Sequence, residues 1–275
     1  MHLNPDRADK RGYLTEPFRL FSLRSKESGQ VEHHYHEFHK LIFFRAGDVT
    51  YRIEGRSYPL EPDQVLLVPA HAIHQPVISP EESYERLVLW IQPEALERRG
   101  LDKCFVHCGE ENSYLLPRER CDQSRLRPLL RELAQCASDK SFGCDALAEG
   151  LFLQLMVWVN RWTLDGHTAT EAGRYDPKID EILAHINHHL TDDLSVGALA
   201  GQFYLSRSWL MHRFKAITGC SIHQYVLQKR LILSAQYLRQ GVGVAQAAQL
   251  SGFSDYSAFL RSFRKAYGVS PREFR

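Results

Sequence analysis

The segment ALAGQFYLSRSWLMHRFKAITG (198–219) is echoed further along the chain by AAQLSGFSDYSAFLRSFRKAYG (247–268), and this near-repeat decides how the C-terminal part folds. In the first copy Ala200 is followed by Ser206, Leu210, Phe214 and Gly219; in the second, Ala248 is followed by Ser254, Phe259, Phe263 and Gly268. The offset between the copies is 48 residues before the turn and 49 after it, so the second turn is one residue longer. A small residue lets the first helix approach the second closely. Ser206 in one copy, and Ser254 or Asp255 in the other, can accept from the free N–H groups that open the second helix. Leu210 with Phe214, and Phe259 with Phe263, lie four apart and hold that helix against a core. Gly219 and Gly268 stand where a helix ends on a positive φ. Each copy predicts helix, tight turn, helix, over 195–217 and 244–267.

With Leu210, Phe214 and Ile217 turned inward, helical spacing turns Arg207, Ser208, Met211, His212 and Lys215 outward together. In the second copy the outward set is Tyr256, Ser257, Leu260, Arg261 and Arg264. Such mixed polar and cationic faces suit a DNA major groove, where Arg reads guanine edges and Lys, Ser and backbone N–H groups hold phosphates. One such helix is an ordinary solvated face; two matched ones point to double-stranded DNA as the partner. Between the copies, Ile222 to Arg239 carries Tyr225, Leu227, Leu231, Ala235 and Leu238 on a long amphipathic stretch. A rigid helix there fixes the separation of the two outward faces, and insertion on one side of DNA requires centres roughly 34 Å apart.

Charge agrees with that assignment. Residues 174–275 hold 13 Lys/Arg against 7 Asp/Glu, while residues 1–173 hold 21 against 26. The net charge of +1 therefore hides a basic C-terminal part beside an acidic body.

Residues 176–275 resemble the AraC/XylS family of bacterial regulators. The resemblance is carried by LSVGALAGQFYLSRSWLMHRFKAITGCSIHQYVLQKRL and VAQAAQLSGFSDYSAFLRSFRKAYGVSPREFR, above all by GFSD plus an aromatic residue and by the closing GVSPREFR. It implies base-reading positions at Arg207, Ser208, Met211 and His212, then Tyr256, Ser257 and Arg261. Ser206, Lys215, Ser254 and Arg264 complete the expected DNA-contacting set. The resemblance also implies a homodimer and, for an activator, contact with RNA polymerase.

Outward from this domain, residues 163–175 are small, polar and aperiodic and read as a linker. Before it, Leu126, Leu129, Leu130 and Leu133 recur at helical spacing, a break falls at Ser141 to Gly143, and Leu147, Leu151, Leu155 and Trp158 form a second stripe. A helical hairpin over 121–162 is expected, packed on its own domain or on a second subunit. Residues from about 17 to 107 read as β-structure, with strands at Lys40–Arg45, Val49–Glu54, Gln64–Val68 and Arg86–Gln92 separated by turns at Ala46-Gly47-Asp48, Glu54-Gly55, Glu61-Pro62-Asp63 and Ser79-Pro80. Residues 1–120 are expected to form a closed β-sandwich or barrel. The fold class is therefore α+β and multidomain, with a β-barrel and helical hairpin before an all-α tandem helix-turn-helix domain.

HHYHEFHKLIFFRAG (33–47), with Pro69 and His74 in VPAHAIHQP, is similar to a cupin-like barrel, the usual N-terminal sensor of the family. The likeness implies a divalent transition metal on a histidine pair, a glutamate four residues later and a distant histidine. His34, His36 and His74 fit, but the glutamate position holds Lys40, which puts like charge near a cation. Glu37, His33 and His39 are the possible substitutes. The favoured expectation is a pocket for a small organic effector, a sugar or an organic acid, lined by His34, His36, Lys40, Arg45, Tyr51, His74 and Trp90.

Several classes are excluded or set aside. No apolar run approaches the roughly 18 to 20 residues that cross a bilayer, so no membrane partner is expected. The polar opening Met1 to Lys10 lacks the core of a secretory signal, and the cytoplasm is expected. Cys104, Cys108, Cys121, Cys136, Cys144 and Cys220 are irregularly spaced, which suits free thiols, although Cys104 and Cys108 with His107 between them form a weak metal or redox motif. G-x-S-x-G, the P-loop, the dinucleotide fingerprint and H-E-x-x-H do not occur, and no enzyme is expected. A constitutive DNA-binding protein whose barrel only dimerises, and a metal-dependent cupin enzyme, are the alternatives.

Overall fold

In the computed structural model the chain falls into two compact units, Met1–Arg174 and Tyr175–Arg275. The residues described are 14, 16–25, 31, 33–79, 81–116, 118–137, 139, 141–165 and 175–274.

The first unit begins with strands β1 (Phe18–Ser25), β2 (His39–Ala46), β3 (Val49–Ile53), β4 (Arg56–Pro59), β5 (Val65–Val68), β6 (His74–Ile78) and β7 (Tyr84–Ile91). Helices α1 (Pro93–Glu97) and α2 (Lys103–Glu110), the short strand β8 (Leu115–Leu116), and helices α3 (Gln123–Cys136) and α4 (Cys144–Leu164) complete it. Among the described residues the strands form an antiparallel sheet of order β1-β7-β2-β5-β8 and a second of order β4-β3-β6. The expected sandwich is present as two sheets over one core. Glu54 and Gly55, both at positive φ (47° and 80°), make the two-residue turn that joins β3 to β4.

Register fixes which side chains meet. Lys40 pairs with Trp90, Ile42 with Val88 and Phe44 with Arg86, so these six share one face of the larger sheet. Tyr51 and Ile53 of β3 pair with Pro76 and His74 of β6 and share a face of the smaller sheet. The two faces meet where the Tyr84 hydroxyl donates to that of Tyr51 at 3.3 Å. The opposite face of the larger sheet is covered by the helical hairpin, with Phe18 stacked on Phe152 at 4.2 Å.

Three expectations are corrected here. Residues 93–97 and 103–107 are helical rather than β, lying in α1 and α2: Pro93 opens α1 at a position where its missing N–H costs nothing. In α2, Cys104, Phe105 and Cys108 bury one side, with Cys104 N donating to Asn160 Oδ1 of α4 at 2.9 Å. The buried stripe of α4 runs through Leu151, Phe152, Leu155, Met156 and Val159, and Leu147 is 54% exposed, because the packed face rotates toward the phenylalanine. Thr163 and Leu164 close α4 rather than opening the linker; its residues 166–174 lie outside those described.

The second unit consists of α5 (Pro177–His188), α6 (Val196–Gln202), α7 (Arg207–Thr218), α8 (Ile222–Arg239), α9 (Val244–Leu250), α10 (Tyr256–Tyr267) and α11 (Pro271–Phe274). Helix α8 starts at a reciprocal cap between Ser221 and Gln224, which satisfies two N–H groups at once. Its Tyr225, Leu231, Ala235 and Leu238 are buried among the other helices. The closing GVSPREFR has a mechanical role: Ser270 N donates to Glu273 Oε2 at 2.7 Å, capping α11, and Phe274 packs on Phe263 and Tyr267 at 5.2 and 4.8 Å. No helix among the described residues is long and apolar enough to cross a membrane.

Candidate DNA interface and effector site

The two helix-turn-helix units are built alike. After α6, Tyr204 takes a positive φ of 56°, and after α9, Gly252 takes 84° at the equivalent place. The turn then closes by Leu205 N donating to Ala200 O at 2.8 Å in one unit and Phe253 N to Ala248 O at 3.0 Å in the other. The small residues Ala200 and Ala248 thus sit where the sequence requires close approach. Gly252 is under a second constraint, since a Cβ there would lie 2.1 Å from Leu190 O and 2.9 Å from Arg230 Nε.

Ser206 Oγ accepts from Trp209 N at 3.2 Å and starts α7. In the longer second turn the cap is Asp255, accepting from Ser257 N at 2.8 Å and Ala258 N at 3.0 Å, which leaves Ser254 exposed ahead of the helix. Leu210, Phe214, Phe259 and Phe263 are fully buried. Each contributes about 1.5–3 kcal/mol by leaving water. Gly219 (φ 79°) and Gly268 (φ 77°) end the two helices, each donating to a carbonyl one turn back at 2.8 Å.

What remains outside is the expected set. Arg207, Ser208, Met211, His212 and Lys215 are exposed on α7, and Tyr256, Ser257, Arg261 and Arg264 on α10; Leu260 is half-buried. The Arg207 guanidinium lies along α6, 3.1 Å from where a Cβ on Gly197 would stand. Sequence reasoning passed over Trp209 and Tyr204, exposed at 41% and 95%, which flank the start of α7. It also passed over Arg213, whose Nε is 2.5 Å from Asp176 Oδ2 and so ties α7 to the start of α5. An aromatic residue among polar neighbours in a helix was the available signal for Trp209.

Inside the first unit, His34, His36 and His74 converge, with one ligand atom of each lying within 4.8 Å of the others. The backbone arranges this: His34 N donates to His74 O at 3.1 Å, and His74 N to His34 O at 2.9 Å. His36 O accepts from His71 N at 2.7 Å. His74 Nδ1 lies 2.8 Å from Ala72 O. A carbonyl only accepts, so Nδ1 carries the proton and Nε2 offers its lone pair. Burial pulls His36 and His74 well below the ordinary imidazole range, and the charge of Lys40 adds to this at both. Lys40 is itself buried, which brings its amine down to about 7, and its Nζ stands 5.9 Å from the Trp90 ring.

The other expected lining residues divide. Tyr51 lies between the sheets, hydrogen-bonded to Tyr84, with burial raising its hydroxyl to about 12. Arg45 does not join the group: it is exposed and lines a separate cavity with Asp63, Arg127 and Arg131, because the strand's alternation turns it to the face opposite Lys40. His39 is likewise on that opposite face, stacked on Phe105 at 4.1 Å with Nδ1 accepting from Ala70 N at 2.9 Å. It serves the core rather than the cluster, and burial lowers it to about 3. Arg86 was not foreseen: its guanidinium lies 3.8 Å from the Tyr84 ring and donates to Ser25 Oγ at 2.9 Å. Its inward register beside Val88 and Trp90 was the usable signal. Cys104 and Cys108 are buried with their thiols pushed up, Cys104 to about 12, and are held as inert packing groups.

Residues 199–275 match the family described as a helix-turn-helix domain, and residues 21–156 match the AraC-like ligand binding domain. The HTH-type transcriptional activator RhaS of Salmonella arizonae is 30% identical over 263 residues, covering 92% of this chain and 90% of that protein. This chain belongs to the AraC family. The AraC-family chain is accordingly a DNA-binding transcription regulator with an N-terminal ligand-binding domain. RhaS of Salmonella newport matches at the same 30% identity and coverage. Among solved structures, ToxT of Vibrio cholerae is 15% identical, covers 94% of this chain and 98% of that one, and superposes with a TM-score of 0.37.

Proposed function

We propose that α7 and α10 enter successive major-groove segments of one DNA face, with Arg207, Ser208, Met211, His212, Tyr256, Ser257 and Arg261 reading bases. Ser206, Lys215, Ser254 and Arg264 hold phosphates. The observation that carries this reading is the duplication itself: two helices share the same closing turn, buried pair and glycine stop, and both leave an exposed polar face. A footprint on genomic DNA tests it. Two protected segments about one helical turn apart are expected per protein copy; protection of a single segment would sink the two-helix reading.

The N-terminal unit acts as the sensor, binding a small-molecule effector between its sheets and shifting the population of DNA-competent states. The buried polar groups there support this, because Trp90 Nε1 is buried without a hydrogen-bond partner and Lys40 is an amine held in the interior, both costly arrangements. The chain works in the cytoplasm as a homodimer, without a catalytic step of its own. If it is an activator, as its RhaS relatives are named, its partner is RNA polymerase. Gel-shift affinity that stays constant across sugars and organic acids, together with a melting point none of them raises, would leave a constitutive DNA-binding protein.

A further inference from the structure

A second polar site lies on the outer face of the larger sheet, under the helical hairpin. Arg45 of β2, Asp63 of the turn before β5, and Arg127 and Arg131 of α3 line a cavity of about 290 Å³. The rest of its wall is apolar, made by the buried Phe43, Leu87 and Leu130. That volume stands at the small end of the range for ligand pockets, roughly 300 to 1,000 Å³. The three arginines are exposed, so the cavity is reached from solvent without opening the fold.

The charges of this lining do not balance. Three guanidiniums stand against one carboxylate, and that carboxylate is already engaged. Arg127 donates to Asp63 Oδ2, and Arg118 Nε lies 3.8 Å from the same oxygen. The backbone holds Asp63 in place at a positive φ of 72°: its N donates to Phe44 O at 2.9 Å, and its O accepts from Gln123 Nε2 at 3.1 Å. The guanidiniums of Arg45 and Arg131, by contrast, make no ion pair or hydrogen bond among the described residues. Arg127 and Arg131 are also four apart on one helix, where like charges repel unless an anion sits between them. An excess of two positive charges around an apolar wall is the complement of a doubly charged anion with a carbon skeleton. The guanidinium fork matches the planar oxygens of such a group.

We infer that this cavity binds a small organic dianion, a dicarboxylate or a phosphate monoester. Arg45 and Arg131 hold its oxygens, and Phe43, Leu87 and Leu130 take its carbon skeleton. Arg45 points to the face of β2 opposite Lys40, so the site is separate from the effector position between the sheets and does not depend on the sensor reading. By joining β2 to α3, the dianion pins the helical hairpin to the barrel.

Calorimetric titration of the full chain tests this, at constant ionic strength and above about pH 7, where a phosphate monoester is doubly charged. Glutarate and phenyl phosphate are the probes, and uncharged glutaramide is the control. The expected result is one saturable site per chain for at least one probe and none for glutaramide; the tighter probe assigns carboxylate or phosphate. Arg45→Gln and Arg131→Gln should each weaken that binding by more than about 10-fold, since each removes hydrogen bonds to a charged group. Both should melt as wild type, because neither side chain has a partner to lose. Arg52→Gln, which removes the same charge from the smaller sheet, should bind as wild type. The site is overturned by a folded wild type that binds neither probe, by undiminished binding in either cavity variant, by an equal loss in Arg52→Gln, or by equal binding of glutaramide.

Discussion

The two units handle polar chemistry in opposite ways. The C-terminal unit buries leucine, phenylalanine and tyrosine and displays Arg207, Ser208, Lys215, Ser257, Arg261 and Arg264 on exposed helix faces. The N-terminal unit places Lys40, Arg86, His36 and His74 in its interior. A surface that meets DNA competes with water only at the moment of binding, whereas an interior polar group is desolvated from the moment of folding. Substitutions in the first region should therefore separate affinity from stability, and those in the second should not.

The largest expected effect tests the scaffold. Gly252→Ala places a Cβ against Leu190 O and Arg230 Nε at a φ of 84°, so the C-terminal unit should lose more than about 3 kcal/mol of stability. A melting point within a few degrees of wild type would show that the α5–α6 connection yields, and the tight turn would lose its importance. At the surface, Arg261→Ala should cost about 1–3 kcal/mol of specific DNA affinity without changing the melting point. Lys215→Ala should weaken binding to all sequences alike and reduce the salt slope by about 1; identical salt dependence for the two variants would merge the roles assigned to them.

The interior gives a pH signature. Burial lowers His39 from its ordinary 6.5 to about 3, so the unfolded chain takes up a proton that the folded one refuses. The contribution of His39 to the stability of the N-terminal unit should be fully present above pH 6.5 and be lost progressively as pH falls toward about 3. Denaturant melts of wild type and His39→Phe should converge as the pH is lowered, and parallel curves would count against this account. The caps provide smaller tests. Asp255→Ala removes two acceptor contacts and should cost about 1 kcal/mol, and Ser206→Ala, with one longer contact, about 0.5. The smallest change is Tyr204→Gly, which relieves a positive φ on an exposed tyrosine and should alter stability by a few tenths of a kcal/mol, opposite in outcome to Gly252→Ala.

Legibility in the sequence followed the same division. The outward faces of α7 and α10 were readable because a helix facing solvent repeats its inward residues every three or four positions, as Leu210 and Phe214 do. The interior of the first unit was only partly readable. Lys40, Trp90 and the histidine pair stood out by residue type, but the alternation that turns Arg45 and His39 to the far face of β2 is invisible where all six residues from His39 to Phe44 are buried. β6 was missed because Pro76 argues against a strand, and it is tolerated there because β6 is an edge of its sheet. Of the two candidate caps, Ser254 and Asp255, it is Asp255 that starts α10, because the extra turn residue moves the helix start, a shift that the repeat's 49-residue offset already contained.

Helix α8 carries a further consequence. It joins the two halves of the domain while burying Tyr225, Leu231, Ala235 and Leu238 along its length. Each residue added to or removed from it would rotate everything downstream by about 100° and roll that stripe out of the interior. Its length can change only in increments near seven residues, about 10.5 Å, that restore the phase. If α7 and α10 both read DNA as proposed, binding sites for this protein must adapt in base sequence, since the gauge between the two helices is fixed by the pitch of a single helix.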